Sequence, residues 1–176
     1  ASWKQALEQA EREKARAVVI HIKGAGPGGY IEETRGLMQQ LTELNMPTYS
    51  LVEGEVLGAA ALVAIATGEI YVAPDSVIGG AGVSQGEDSD NEVTRKRVES
   101  LLLAKVRMVA AKHGHNLPLI EAMMVSSGQG RQFGAVSVPK DSVLTLTAEE
   151  AISQAEGKPL LARGMARDIT EMLSQA

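Results

Sequence analysis

The sequence contains no cysteine, and its 176 residues include one tryptophan, one phenylalanine and three tyrosines. Without a thiol there is no disulfide, no thiolate nucleophile and no cysteine metal site. The compartment stays open, because cysteine-free chains occur on both sides of a membrane. Basic charge is also short: 17 lysines and arginines stand against 22 aspartates and glutamates, a formal charge of -5. We therefore expect no nucleic-acid partner. Long apolar runs are absent too, since the longest, residues 56–66, falls well short of the roughly 20 residues that a spanning helix needs. No secretory leader is visible. The chain opens at Ala1, without an initiator methionine, and passes at once into a helical pattern. We expect a piece of a longer protein whose targeting or membrane segment lies outside it.

What is present is enough apolar material, 44%, for one folded domain with a real core. Ser2 is placed as an N-cap, and Trp3, Leu7 and Ala10 follow at helical spacing, so residues 2 to about 15 read as an amphipathic helix. "AVVIHIK" is a short continuous apolar run, as in a strand covered on both faces in a parallel sheet. "GAGPGGY", residues 24–30, reads as a glycine-rich loop. A helix follows with Ile31, Leu37, Met38, Leu41 and Leu44 inward, stopped by Pro47 before the strand "PTYSLVE". The pattern repeats as a small-residue helix over residues 57–67 and the strand "EIYVAP". Beyond the polar "GEDSDNE", residues 93–114 have the length and period of one long helix closed by Gly114. "SSGQGRQFG" is turn-rich, "SVLTLT" is a late strand, and Thr147 with Glu150 forms a capping box. Strands alternating with helices predict an α/β fold of stacked βαβ units, with a mainly parallel sheet flanked by helices, as a single domain over residues 1–176.

Two turns carry the candidate chemistry. In "GAGPGG", Gly24, Gly26 and Gly29 fit the bare G-x-G-x-x-G pattern. Pro27 interrupts that turn, and the next strand ends without an acid in the ribose-binding role, so a dinucleotide reading is poorly supported. Gly28 and Gly29 instead suit either a tight turn with no ligand or backbone N–H groups aimed at an oxyanion or a peptide carbonyl. The second turn, Leu57-Gly58-Ala59-Ala60, opens the small-residue helix and holds no serine, threonine or cysteine. There the N–H of Ala59 is a second available donor, while close packing of the helix on the sheet is the plainer reading.

These turns, with "YVAPDSVIGGAGV", "AKHGHN", "DSVLTLTAEEA" and "GMARDITEMLSQ" in that order, resemble the soluble domain of the NfeD-type membrane-bound serine proteases, of the ClpP class within the ClpP/crotonase superfamily. The resemblance covers the whole chain apart from a strand that the family places before the first helix. It implies a ClpP/crotonase-like fold, an oxyanion hole from Gly28 or Gly29 and Ala59, and assembly as a dimer or larger homo-oligomer through the long helix and late segment. A membrane-anchored parent with this domain on the extracytoplasmic side follows from the same likeness. The family's catalytic serine falls on Gly58 and its lysine on Arg97, with Lys96 one residue away. Glycine offers no nucleophile and arginine no base, and Lys96 points about 100° away on a helix.

Three functions follow as expectations. The first is a catalytically inactive protease-like domain that binds a peptide or protein segment or serves assembly, with no cofactor and no metal. The second is an active serine endopeptidase using Lys96 and a displaced serine: Ser50, Ser76 or Ser84. The third is a crotonase-type acyl-CoA enzyme, since residues 52–74 also resemble the crotonase V-N-G-x-x-x-G-G-G run; the A-G-x-D loop and a glutamate in the acid/base segment are missing. His113 and His115 read as helix-end caps rather than metal ligands, and His21 as a satisfied core or interface histidine. Met123 and Met124 read as core or interface filler, and "GEDSDNE" as a solvated loop, not a calcium site.

Overall fold

The computed structural model describes residues 2–28, 31–81 and 92–176. In chain order it forms α1 (Ser2–Arg12), β1 (Val18–Gly28), α2 (Ile31–Glu43), β2 (Thr48–Gly58), α3 (Ala59–Ile65), β3 (Glu69–Val72) and β4 (Val77–Gly79). Then come α4 (Glu92–His113), α5 (Leu117–Met124), β5 (Arg131–Phe133), β6 (Val136–Val138), β7 (Thr145–Thr147) and α6 (Ala148–Ile152). The chain closes with β8 (Gln154–Ala155), β9 (Lys158–Pro159), β10 (Gly164–Met165) and α7 (Ile169–Gln175).

β2 is the axis of the sheet. One of its edges pairs in parallel with β1 over the full length, from Val18 opposite Thr48 to Gly28 opposite Gly58. Its other edge is shared: β3 pairs along Tyr49–Val52, and after a turn at Asp75, whose φ is 63°, β4 pairs along Glu55–Leu57. β10 extends the sheet in parallel beyond β3, and β7 closes it antiparallel beyond β4. Sharing one edge between two short strands curls the sheet around β2, giving the mixed α/β architecture that the alternation of elements predicts. Both faces of β2 are covered. Val52 and Val56 join Ile70 and Val72 in a core under α2, α3 and α4, while Leu51 and Tyr71 meet Ala166 and Met172 on the other face. This two-sided burial explains the unbroken apolar runs of β2 and β3; β1, paired only with β2, is not covered on both faces as expected of it, since His21 and Lys23 are exposed.

The main departure from expectation is at "GAGPGGY". Residues 24–28 are not loop but the second half of β1, and Gly29 and Tyr30 lie outside the described residues. Gly24 serves close approach, not turning: a Cβ on it would stand 2.1 Å from the Glu55 carbonyl oxygen, and one on Gly54 of β2 would stand 2.5 Å from the carbonyl oxygen of Gly24. β2 likewise runs to Gly58, so the helix expected from Leu57 begins at Ala59. Ser2 is the first residue of α1 rather than its cap, and that helix ends at Arg12, short of residue 15. Within the turn-rich stretch, Arg131–Phe133 pairs with Val136–Val138 as a hairpin. Met38, Leu41 and Leu44 are buried as expected. Gly114, with φ 73°, follows the end of α4, and the Thr147/Glu150 capping box forms in full.

The Gly24/Gly54 contact is testable by thermal unfolding. Gly24→Ala and Gly54→Ala should each cost about 2 kcal/mol or more, because backbone must part to admit the methyl group. Gly128→Ala, with nothing within 4 Å, should stay within about 0.5 kcal/mol of the parent. Equal effects at all three positions would contradict the packing described.

Candidate functional site

Gly58 ends β2 and caps α3 with φ 65° and ψ -133° and no side-chain capping bond. A side chain is strained at that conformation, and the strand reverses sharply into the helix; this is the backbone shape of a nucleophile elbow. Its own N–H is used, donating to the Gly80 carbonyl at 3.1 Å. Ala59 follows as the first residue of α3, where helix N–H groups have no acceptor within the helix. Gly28 is the register partner of Gly58 on the adjacent strand, so the parallel pairing brings Gly28, Gly58 and Ala59 to one end of the sheet. Gly29 lies outside the described residues.

The expected base positions fall elsewhere in character. Arg97 and Lys96 sit in the second turn of α4, both exposed. The Lys96 ammonium stands 3.5 Å from Glu92 Oε1, a surface pair one turn apart, so its partner is a carboxylate and not a hydroxyl. Two of the serines considered as displaced nucleophiles have structural partners: Ser50 Oγ lies 2.8 Å from Thr67 Oγ1, and Ser76 Oγ donates to the Ala73 carbonyl at 2.6 Å. Both are fully buried. Ser84 and the acidic stretch at residues 86–91 lie outside the described residues. Among the described residues, no group of three or more His, Asp or Glu side chains is arranged to hold a metal.

The histidines form an arrangement that sequence spacing obscured. His113 Nε2 lies 2.9 Å from the Ala66 carbonyl and His115 Nε2 lies 2.8 Å from that of Thr67. Carbonyls only accept, so Nε2 carries the hydrogen in both rings. They cap a helix end as expected, but the end is that of α3 rather than of their own α4. Gly114, left-handed between them, cancels the divergence of an i, i+2 pair and brings the ring centroids to 5.8 Å. Thr67 Oγ1 also donates to the Ala64 carbonyl at 2.7 Å, and the Gly68 N–H donates to Thr48 Oγ1 at 2.8 Å. The C-terminal end of α3 is thus clamped by side chains from α4, its following turn and β2. The signal in sequence was "HGH" beside a left-handed glycine, paired with "TG" at the end of the small-residue helix.

His21 is satisfied, as expected, but it is not a core residue. It lies toward the exposed side of β1 and meets Glu53 Oε2 at 2.7 Å, a diagonal cross-strand pair. Met123 and Met124 are buried in α5 as expected.

Burial holds both clamp histidines below the ordinary imidazole value of 6.5, the carbonyl bonds opposing it only partly; Lys112 adds to the effect at His113, and His113 adds to it at His115. A depressed folded-state value means that the unfolded chain takes up protons first. Stability is therefore complete above 6.5 and declines as pH falls below it. Thermal midpoints measured from about pH 7.5 to about pH 5.5 should fall on acidification, and His115→Gln should flatten that slope. A parent slope no steeper than the variant's would contradict the clamp.

Comparison with known proteins gives the chain's family and fold. The family profile described as "NfeD1b, N-terminal domain" matches residues 2–176. "Membrane protein NfeD1b" of Bacillus subtilis (strain 168) is 27% identical over 148 residues, which cover 84% of this chain and 32% of that protein. The chain thus spans about a third of the length of this relative. Among solved structures, a serine-to-alanine mutant of the 1510-N membrane-bound stomatin-specific protease superposes with a TM-score of 0.71 at 20% identity, covering 99% of this chain and 75% of that one. A lysine-to-alanine mutant of the 1510-N protease, in complex with a substrate peptide, gives 0.68 at 20% identity, covering 98% and 71%. The curled sheet, its helices and the profile over nearly every residue agree: the chain belongs to the NfeD1b N-terminal domain family, with the fold of NfeD-type membrane protease domains.

Proposed function

We propose that this domain binds an extended peptide or protein segment without cleaving it, as the non-catalytic, protease-like part of a membrane-anchored protein. The observation that carries this reading is the elbow at Gly58: the backbone holds a φ 65°, ψ -133° conformation in which a side chain would be strained, and the residue there has no side chain to attack with. Gly28 in register beside it and Ala59 at the start of α3 supply backbone donors for a peptide carbonyl. An extended segment would add main-chain hydrogen bonds and leave specificity to the flanking side chains. The base position holds an arginine, Arg97, a residue type that offers no base. In this reading the domain lies on the extracytoplasmic side and works as a homo-oligomer. The substrate peptide bound to the 1510-N relative supports the choice of ligand class.

The domain should raise the fluorescence anisotropy of labelled casein, leave the casein uncut on prolonged incubation, and take up no fluorophosphonate. Ala59→Pro removes one donor at the first helical position, where proline is well tolerated. It should weaken casein binding about tenfold, the loss of one good hydrogen bond in a dry site, with the melting temperature preserved. Cleavage or labelling that a single serine substitution abolishes would instead establish a displaced serine acting with Lys96. Heat on titration with acyl-CoA would favour the crotonase-type reading.

A further inference from the structure

A cavity of about 460 Å³ lies between α5 and the hairpin of β5 and β6, and neither Gly28, Gly58 nor Ala59 lines it. Its volume is within the range of small-molecule sites. Two walls follow from the periods of their elements. Pro118, Glu121 and Val125 recur at intervals of three and four along α5 and its C-cap, which sets them on one side. Arg131 and Phe133 stand two apart on β5 and share a face of it. Both sets line the cavity, so the two walls look onto each other. Val125 and Phe133 pack partly buried against the core and make part of the lining apolar.

The cavity is shaped before anything enters it. The Ser127 carbonyl accepts the Asp141 N–H at 2.7 Å and the Ser127 hydroxyl oxygen accepts that of Gln129 at 3.2 Å, while Gln132 donates to the Gly134 carbonyl at 2.8 Å. Its charges, in contrast, are unused. The Arg131 guanidinium carries five N–H donors; one on Nη2 reaches the Ser142 carbonyl at 3.0 Å, and the buried Nε has no acceptor. Glu121 is exposed on the facing wall. Among the described residues no ion pair joins Arg131 or Glu121 to any group, although both line one cavity. Opposite charges that share a cavity and stay apart leave room for a ligand that meets both.

We propose that this cavity binds a small zwitterion with an apolar side chain, a free amino acid or a dipeptide. Its carboxylate meets Arg131, whose planar fork matches a carboxylate. Its ammonium meets Glu121, and its side chain lies on Val125 and Phe133. An anion without an ammonium is opposed by Glu121, and a cation without a carboxylate by Arg131. The Ser126 and Ser127 hydroxyls, also in the lining, offer further hydrogen bonds. The cavity includes no residue of α4, so its occupation is compatible with assembly through that helix. The proposal does not rest on peptide binding at Gly28 and Ala59.

The test titrates the isotope-labelled domain with L-phenylalanine and follows each backbone amide by NMR. Saturable shifts are expected at Ser126, Ser127, Gln132 and Phe133, with Gly28 and Ala59 unmoved. L-Phenylalaninamide lacks the carboxylate and N-acetyl-L-phenylalanine lacks the ammonium, and each should bind at least about threefold more weakly. Glu121→Gln, at an exposed position, should weaken phenylalanine about threefold and leave N-acetylphenylalanine unchanged. Arg131→Gln should weaken phenylalanine about tenfold and leave the amide unchanged. That variant also loses the bond to Ser142, so the Glu121 result decides if it melts early. Alanyl-phenylalanine separates the two ligand sizes: tighter binding than phenylalanine assigns the cavity to a dipeptide, weaker binding to a free amino acid. No saturable shift, shifts confined to Gly28 and Ala59, or equal binding of all three phenylalanine compounds would overturn the proposal.

Discussion

Parallel pairing of β1 and β2 over eleven residues is the constraint on which the rest of the molecule depends. It runs through a point where Gly24 and Gly54 let the two backbones meet at distances no Cβ would allow, and only beyond that point does Gly28 come level with Gly58. A side chain at the crossing would part the strands just before the site. Gly24 therefore acts through packing: with Gly54 it carries the register to the elbow.

The second requirement is that α3 be held from behind. This helix has seven residues, too short to persist alone, and its first-turn N–H groups are the donors that the proposed peptide binding uses. Its far end is fastened by His113, His115, Thr67 and Thr48, while Ala61, Leu62, Ala64 and Ile65 bury its inner side. Neutral histidine satisfies the last carbonyls without placing a charge in a buried setting. Clamp and elbow are the two ends of one helix of seven residues.

Much of this was legible in the sequence, for physical reasons that differ by element. Continuous apolar runs marked β2 and β3, because a sheet covered on both faces leaves no polar alternation, whereas β1 was readable as a strand although His21 and Lys23 leave one of its faces exposed. Gly114 and the Thr147/Glu150 pair marked their helix ends by local chemistry alone. The extension of β1 through Gly28 was not legible, since glycine that permits a turn and glycine that permits close approach read alike until the partner strand is known. The clamp was hidden because it joins residues 47 and 48 positions apart, and i, i+2 spacing argues against a shared target unless a left-handed residue lies between. At the site, the placement of Gly58 at a strand-to-helix reversal was readable, whereas the fate of the hydroxyls of Ser50 and Ser76 needed the packed structure.

The central claim is that an elbow without a nucleophile still presents a working pair of backbone donors. Amide-resolved NMR of the isotope-labelled domain, titrated with unlabelled casein peptides, tests it most directly. The account predicts that the Gly28 and Ala59 amide signals shift saturably and together, while mass spectrometry finds every peptide intact at the end. Shifts that leave both amides unmoved, or peptides recovered as fragments, would contradict it.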